Sequence, residues 1–379
     1  MKDRRKILGI DASRSTRTSP TGVERYSDEI IQAILEELGV SGNTANDDWK
    51  VRLYTPIWLD KFPRNLQRRI RLPRLWTLLR LSLEMLLHKP DALFIPAHVI
   101  PFFAPRDTYV TVHDVAFEKY PMAYGAFASF YLAWSTKRAL RKARKVIVPT
   151  ESVRHDLKKY YEADGRKIMV VNHGRLPLAV VTEQDIEAAL QHYRLGRDEK
   201  IFFFIGRLET KKNLMVLLNA WEIVQKKCSE EGLPAGRLFL GGMYGHGFND
   251  LFRRMEDDDL RGTVLAPGYI SEYDASGIFN AATAFVMPSR EEGFGLPILQ
   301  SFEADCAVIC SDIPPLREVA GDAALYADPG KAEDFAEQML KLMKDDDLKD
   351  KLVDRGKKRL EQFSWKRAAE QLVEEFSKN

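Results

Sequence analysis

The sequence predicts an α/β protein made of two doubly wound parallel sheets that face each other across a cleft. Three observations predict it. The chain has 379 residues, more than one compact core usually supports. Short apolar runs alternate with helical patterns through both halves, as strands joined by crossover helices do. Several of those runs end in loops rich in glycine or charge. In open parallel sheets the carboxyl ends of the strands are where ligands bind.

Bulk composition narrows the function classes. A net charge of +2 gives nothing that would steer the chain to nucleic-acid backbones, so no nucleic-acid partner is expected. Cys228, Cys306 and Cys310 form no CxxC, which fits buried thiols in a reducing compartment. Cys306 and Cys310 have no His or Cys partner near them in sequence, so no metal is expected there. The start, MKDRRKILGIDAS, has too short an apolar core for a signal peptide. No stretch reaches the roughly 18 apolar residues of a membrane span; residues 75–87 come nearest and are broken by Arg80 and Glu84. A cytoplasmic protein is expected.

In the first half, residues 7–10 read as a strand ending at Asp11. The loop SRSTRTSPTG follows, with Arg14, Arg17 and Gly22, before a helix over 23–38. No G-x-G-x-x-G fingerprint is present, so no dinucleotide cofactor is expected; a basic, glycine-ended loop still suits an anion. Residues 61–83 hold Lys61, Arg64, Arg68, Arg69, Arg71, Arg74 and Arg80 and no acid, interleaved with Leu66, Ile70, Leu72, Leu75, Trp76, Leu78 and Leu79. Two readings stand: a segment for an anionic membrane surface, or a helix packed on its own domain with a solvated basic face. Lys137, Arg138, Arg141, Lys142, Arg144 and Lys145 suit the carboxyl end of a helix. Strands are read at 93–95, 109–112, 146–148 and 168–171. His113 and Asp114 follow the second of these, where a histidine is either a site residue or a satisfied loop residue. Residues 175–200 show no clear strand.

The second half repeats the pattern. The apolar strand 201–205 ends in GRLETKKN. Arg207 offers a planar fork and Lys212 a point charge, the pair that suits a pyrophosphate; ordinary loop charge is the plainer reading. Strands follow at 237–240, 264–266, 284–287, 307–310 and 323–327. After 287 the chain reads PSREEGFG before a helix from Leu296. Gly293 and Gly295 allow backbone amides close to a ligand, and the helix start suits phosphate. Glu292 adds an acceptor for a polyol such as a sugar, unless the loop is only a solvated turn. The aspartate runs 257–259 and 345–347 read as solvated faces rather than a metal site. Ser364 reads as the N-cap of a last helix, whose Ala368, Ala369, Leu372, Val373 and Phe376 share one face.

The string SREEGFGLPILQSFEADCAVICSDI resembles the signature of the retaining family-4 glycosyltransferases of GT-B fold. The resemblance implies Rossmann-like domains at 1–185 (acceptor side) and 186–362 (donor nucleotide), with 363–379 a helix packing back on the first. It implies that Glu292 meets donor-sugar hydroxyls and that Gly293, Phe294, Gly295 and Leu296 line the donor. The family's second Glu, which holds the ribose, falls on Gln300; its later Gly and Pro fall on Asp305 and Ala307. IDAS…TGVERYSDEI resembles the opening of mannosyltransferase-like members, with Gly22 facing the donor phosphates. YVTVHDVAFEKYP resembles the segment that puts His113 near the transferred sugar with Asp114 in support. GRLETKKN resembles the segment whose Arg207 and Lys212, beside Gly206, hold the diphosphate and neutralise it as it leaves. Ile270 or its neighbours would meet the base through backbone groups. The function implied is retaining transfer of a hexose, mannose from GDP-mannose first and a UDP-sugar second, to a glycan or lipid-linked glycan, without cofactor or metal. Two alternatives stand: a non-catalytic sugar-nucleotide-binding protein, suggested by Gln300 and Asp305, and a same-fold epimerase or hydrolase.

Overall fold

In the computed structural model the apolar runs form two all-parallel sheets, one in each of two compact units. The structure describes residues 5–16, 21–40, 49–71, 76–121, 124–234 and 236–378. Arg17, Leu72, Arg74 and Leu75, named above, lie outside the described residues. The first unit takes Met1–Gly174 together with Phe363–Asn379, and the second takes Arg175–Gln362.

The first unit holds β1 (Lys6–Asp11), β2 (Trp49–Thr55), β3 (Gln67–Arg69), β4 (Ala92–Ile95), β5 (Asp107–Thr111), β6 (Lys145–Val148) and β7 (Ile168–Val170). Their order is β3-β2-β1-β4-β5-β6-β7. The sequence runs outward from β1 in one direction and then restarts at β4 in the other, so β1 and β4 flank the switch point. Every strand pair is parallel. The helix Gly22–Glu37 buries Tyr26, Ile30, Ile31 and Ile34 on one side of this sheet, with the same side covered by the last helix, Trp365–Ser377. Ser364 caps that helix, its hydroxyl accepting from the Arg367 amide at 3.4 Å. Ala368, Ala369, Leu372 and Phe376 are buried. Phe376 packs on Phe94 and Tyr109 with ring centroids 5.7 and 4.7 Å away.

The basic segment 61–83 is not one amphipathic helix. It begins with a short turn, runs through edge strand β3, and reaches a π-helical stretch, Trp76–Leu81, that continues as the helix Ser82–Leu87. Leu66, Ile70, Trp76 and Leu78 are buried in their own unit, whereas Leu79 and Leu83 are exposed. A three-residue strand of Gln and Arg has no apolar pattern of its own; pairing with β2 creates it.

The second unit holds β8 (Ile201–Ile205), β9 (Arg237–Gly241), β10 (Val264–Gly268), β11 (Ala284–Met287), β12 (Ala307–Ser311) and β13 (Ala324–Ala327). They lie in the order β10-β9-β8-β11-β12-β13. β8 is central and covered on both faces, which explains its run IFFFI. Phe202, Phe203 and Phe204 are all but inaccessible, each stabilising the unit by about 2 kcal/mol through burial. Residues 175–200 carry no strand, but a helix forms at Glu183–His192. Thr182 opens it with a capping box, reciprocated by Asp185.

The charge runs have structural duties. Arg254 pairs with Asp257 and Asp259, and Arg261 with Asp258. Asp345 caps the helix Asp346–Leu360. Cys228, Cys306 and Cys310 are buried and unlinked; burial pushes the Cys306 thiol up to about 12. Among the described residues no cluster of three or more His, Cys, Asp or Glu could hold a metal ion. Nor is any described helix long and apolar enough to cross a membrane.

Candidate functional site

In the second unit, β10, β9, β8 and β11 are neighbours, so the loops leaving their carboxyl ends share one edge of the sheet. Glycines let those loops lie close together. Gly206 donates its amide to the Gly241 carbonyl at 3.0 Å, and Gly242 donates to Gly268 at 2.8 Å. Gly242 has φ +140 and its missing Cβ would collide with the Gly206 carbonyl. No other residue fits there.

The cations predicted for a diphosphate stand on the loop after β8. Arg207 is largely exposed, its Nε 3.7 Å from Glu209. Lys212 reaches the loop after β11, where its Nζ meets Glu292 Oε1 at 2.5 Å. Both partners are largely covered, at 17% and 14% exposure. Two residues far apart in sequence, both singled out for sugar-nucleotide chemistry, are therefore in direct contact. Gly293, Phe294 and Gly295 follow Glu292, and the helix Leu296–Glu303 starts after Gly295 in the left-handed region at φ +99. Phe294 and Leu296 are buried, so what this turn offers a ligand is backbone. Gln300 is half-buried on the same helix. Ile270 is buried, and a Cβ on Gly241 would meet its side chain at 2.6 Å; only its backbone remains for recognition.

Asn213 is the residue of this region that sequence reading passed over. It adopts φ +58 and is buried. Its Nδ2 donates to the Pro288 carbonyl at 3.0 Å and the Pro329 carbonyl at 2.7 Å, while its Oδ1 accepts from Arg290 Nε at 3.0 Å. One side chain thus ties the loops after β8, β11 and β13. The available signal was the asparagine itself, the non-glycine residue best suited, with aspartate, to a left-handed backbone.

In the first unit, His113 follows β5 and is buried. Its Nε2–H donates to the Pro96 carbonyl at 3.1 Å, which leaves Nδ1 as the ring's acceptor. Burial, reinforced by the neighbouring His98, pushes its pKa down to about 4, so it is neutral at pH 7. His98, His173 and Tyr26 surround it, with ring centroids 5.9, 5.8 and 4.7 Å from it. Asp114 Oδ1 accepts from the Ala116 amide at 3.1 Å and so opens the short helix Ala116–Lys119. Gly22 starts the helix Gly22–Glu37, and a Cβ there would meet nothing within 4 Å. The Thr21 amide donates to Glu24 at 3.0 Å, so the negative charge nearest this helix start is the chain's own. Asp11, at the end of β1, is buried, and that burial raises its pKa.

Comparison with known proteins bears on what this arrangement does. The family model "Glycosyltransferase Family 4" matches residues 20–175, and "Glycosyl transferases group 1" matches 185–359. Together they take in most of the chain. The chain is a family-4 glycosyltransferase of GT-B fold. The glycosyltransferase is 26% identical over 270 residues to O-antigen chain mannosyltransferase B of Escherichia coli, covering 70% of this chain and 69% of that one. It is 24% identical over 320 residues to O-antigen chain mannosyltransferase RfbU of Salmonella typhimurium, covering 82% and 84%. Its fold matches WaaG, a glycosyltransferase involved in lipopolysaccharide biosynthesis, with a TM-score of 0.73 at 13% identity over 98% of this chain and 100% of that one. It also matches Anabaena Alr3699/HepE in complex with UDP and glucose, with a TM-score of 0.74 at 15% identity over 99% and 100%.

Proposed function

We propose that the glycosyltransferase moves a hexose, mannose foremost, from a nucleotide-sugar to a glycan or lipid-linked glycan of the O-antigen kind, with retention at the anomeric carbon. The observation that carries the reading is the contact of Lys212 with Glu292, beside Arg207, at the carboxyl ends of β8 and β11. Without donor, the lysine and carboxylate neutralise each other. With donor bound, the diphosphate takes Lys212 and Arg207, and Glu292 turns to the sugar hydroxyls. The second unit is then the donor side and the first the acceptor side, with the helix 363–379 part of the first. Gly206, Gly293, Phe294, Gly295 and Leu296 contribute backbone to the donor, Ile270 backbone to the base, and Gln300 a neutral donor and acceptor to the ribose. Gly22 and His113 serve from the first unit.

The bond from C1 to the leaving phosphate oxygen breaks as C1 bonds to the acceptor oxygen on the same face. The acceptor's proton passes to the leaving diphosphate. Arg207 and Lys212 stabilise the charge that develops there, and fixed charges of this kind supply most of such a barrier reduction. A double displacement would need a carboxylate aimed at C1 as nucleophile; in this reading Glu292 serves the sugar hydroxyls instead.

GDP-mannose is favoured because relatives covering most of the chain are named mannosyltransferases; a UDP-sugar comes second. The test is thermal stabilisation by GDP-, UDP-, ADP- and CDP-linked sugars. One donor should shift the unfolding temperature, and Arg207→Ala and Lys212→Ala should abolish the shift. Absence of any shift would overturn the donor reading. Slow donor hydrolysis without transfer to any glycan would instead favour a binding protein, the reading Gln300 suggests. The anomeric configuration of the product, read by NMR, decides retention.

We further infer that the reaction runs at the cytoplasmic face of an anionic membrane. Support comes from Leu79 and Leu83, which are exposed in the segment 61–83 that also carries the basic cluster. Co-sedimentation with vesicles containing anionic lipid, lost in Leu79→Ser/Leu83→Ser, tests it.

A further inference from the structure

The loop after β9 carries aromatic groups that the donor chemistry above does not use. Tyr244 stacks on Phe248 with ring centroids 3.9 Å apart and an interplanar angle of 17°. Its hydroxyl donates to the Ala266 carbonyl of β10 at 3.0 Å. A Cβ on Gly268 would sit 3.4 Å from that hydroxyl, so the ring lies across the end of β10. Tyr244 is nonetheless half exposed. A tyrosine fixed on one face and by its hydroxyl, yet open to solvent, is a preorganised flat surface.

Its position suits one occupant. The Leu208 amide donates to Met243 and the Gly245 amide to Leu208, both at 2.9 Å, which locks this loop to the one bearing Arg207. A Cβ on Gly245 would stand 3.2 Å from the Arg207 Cγ. Tyr244 therefore reaches from the loop of the diphosphate cation to β10. That span is two strand spacings, about 10 Å, which a ribose bridges between diphosphate and base. Gly206, Gly242 and Gly268 are neighbours across the same three strand ends, with Gly268 against the Tyr244 ring.

We propose that Tyr244 is the stacking platform for the base of the donor nucleotide. This rests on the donor reading above and names a residue for the base that the sequence motifs leave to backbone alone. Stacking is tolerant of base identity, so Tyr244 sets affinity for the nucleoside, while hydrogen-bonding groups choose among bases.

Calorimetric titration of the whole protein tests it, with GDP, UDP and inorganic pyrophosphate as probes against wild type, Tyr244→Ala and Tyr244→Phe. For whichever nucleotide wild type binds, Tyr244→Ala should bind at least roughly tenfold more weakly. Tyr244→Phe should stay within about threefold, since it keeps the ring and loses one hydrogen bond. Pyrophosphate should bind all three alike. Equal nucleotide affinity in Tyr244→Ala would overturn the platform and leave the donor reading intact. Parallel loss of pyrophosphate would overturn it too, because the effect would then be a displaced Arg207 loop. If wild type binds neither nucleotide, the donor reading itself falls and the platform with it.

Discussion

His113 links burial, charge and pH at a single residue. Its folded pKa of about 4 lies below the ordinary 6.5, so the unfolded chain takes the proton first as pH falls. The stability it contributes is whole above about pH 6.5 and drains away as pH drops toward 4, by roughly 3 kcal/mol in all. His98 and His173 are pushed down by the same burial and add in the same direction; buried Asp11, with its raised pKa, opposes them. Urea midpoints taken between pH 7 and 4.5 should fall, and His113→Asn should flatten the slope. Lys212→Ala should cost about 10²–10³ in turnover, the usual loss when one charge-stabilising group is removed, read as release of nucleoside diphosphate in the presence of acceptor. Residues of this kind were legible in the sequence because charge and position after an apolar run are local facts. Which residues touch is not local. Nothing in the string tells that Lys212 closes on Glu292 rather than on the nearer Glu209.

Loops and strands show the next limit. Eleven strands could be placed from their apolar runs, since a buried parallel strand must be apolar on both faces. β2 and β3 lie toward the sheet edge, and their Lys50, Arg52, Arg68 and Arg69 dilute the signal. Asn213 was equally hidden, because its work is to bond carbonyls of loops remote in sequence. Replacing it separates two contributions. Asn213→Gly keeps φ +58 but loses the bonds to Pro288, Pro329 and Arg290; Asn213→Ala adds backbone strain. The expected costs to the second unit are about 2 and 3 kcal/mol, measured by denaturant unfolding. Both variants should also weaken donor binding, since the loops after β8 and β11 lose their common anchor.

The molecule as a whole carries a division that hydrophobic pattern alone could not reveal. The last helix, Trp365–Ser377, follows the entire second unit yet supplies core to the first. Its apolar face was legible from spacing; what it covers was implied only by the family resemblance, because an amphipathic stripe does not name its partner. Phe376→Ala should destabilise the first unit by about 3–5 kcal/mol and leave the second unit's transition in place. The two are separable by hydrogen exchange, with β1, β4 and β5 losing protection while β8 keeps it.

That return has a consequence for synthesis. Domains ordinarily fold in turn as they leave the ribosome, at about 5–20 residues per second. Here residues 1–174 wait through the making of all of 175–362 before the helix that seals them arrives. At those rates the wait is roughly 10–40 s, during which Ile30, Ile34, Phe94 and Tyr109 lack part of their cover. Any product cut short before residue 363 keeps that surface bare and is a ready substrate for chaperones and proteases. Only a chain read past the second unit can bury it.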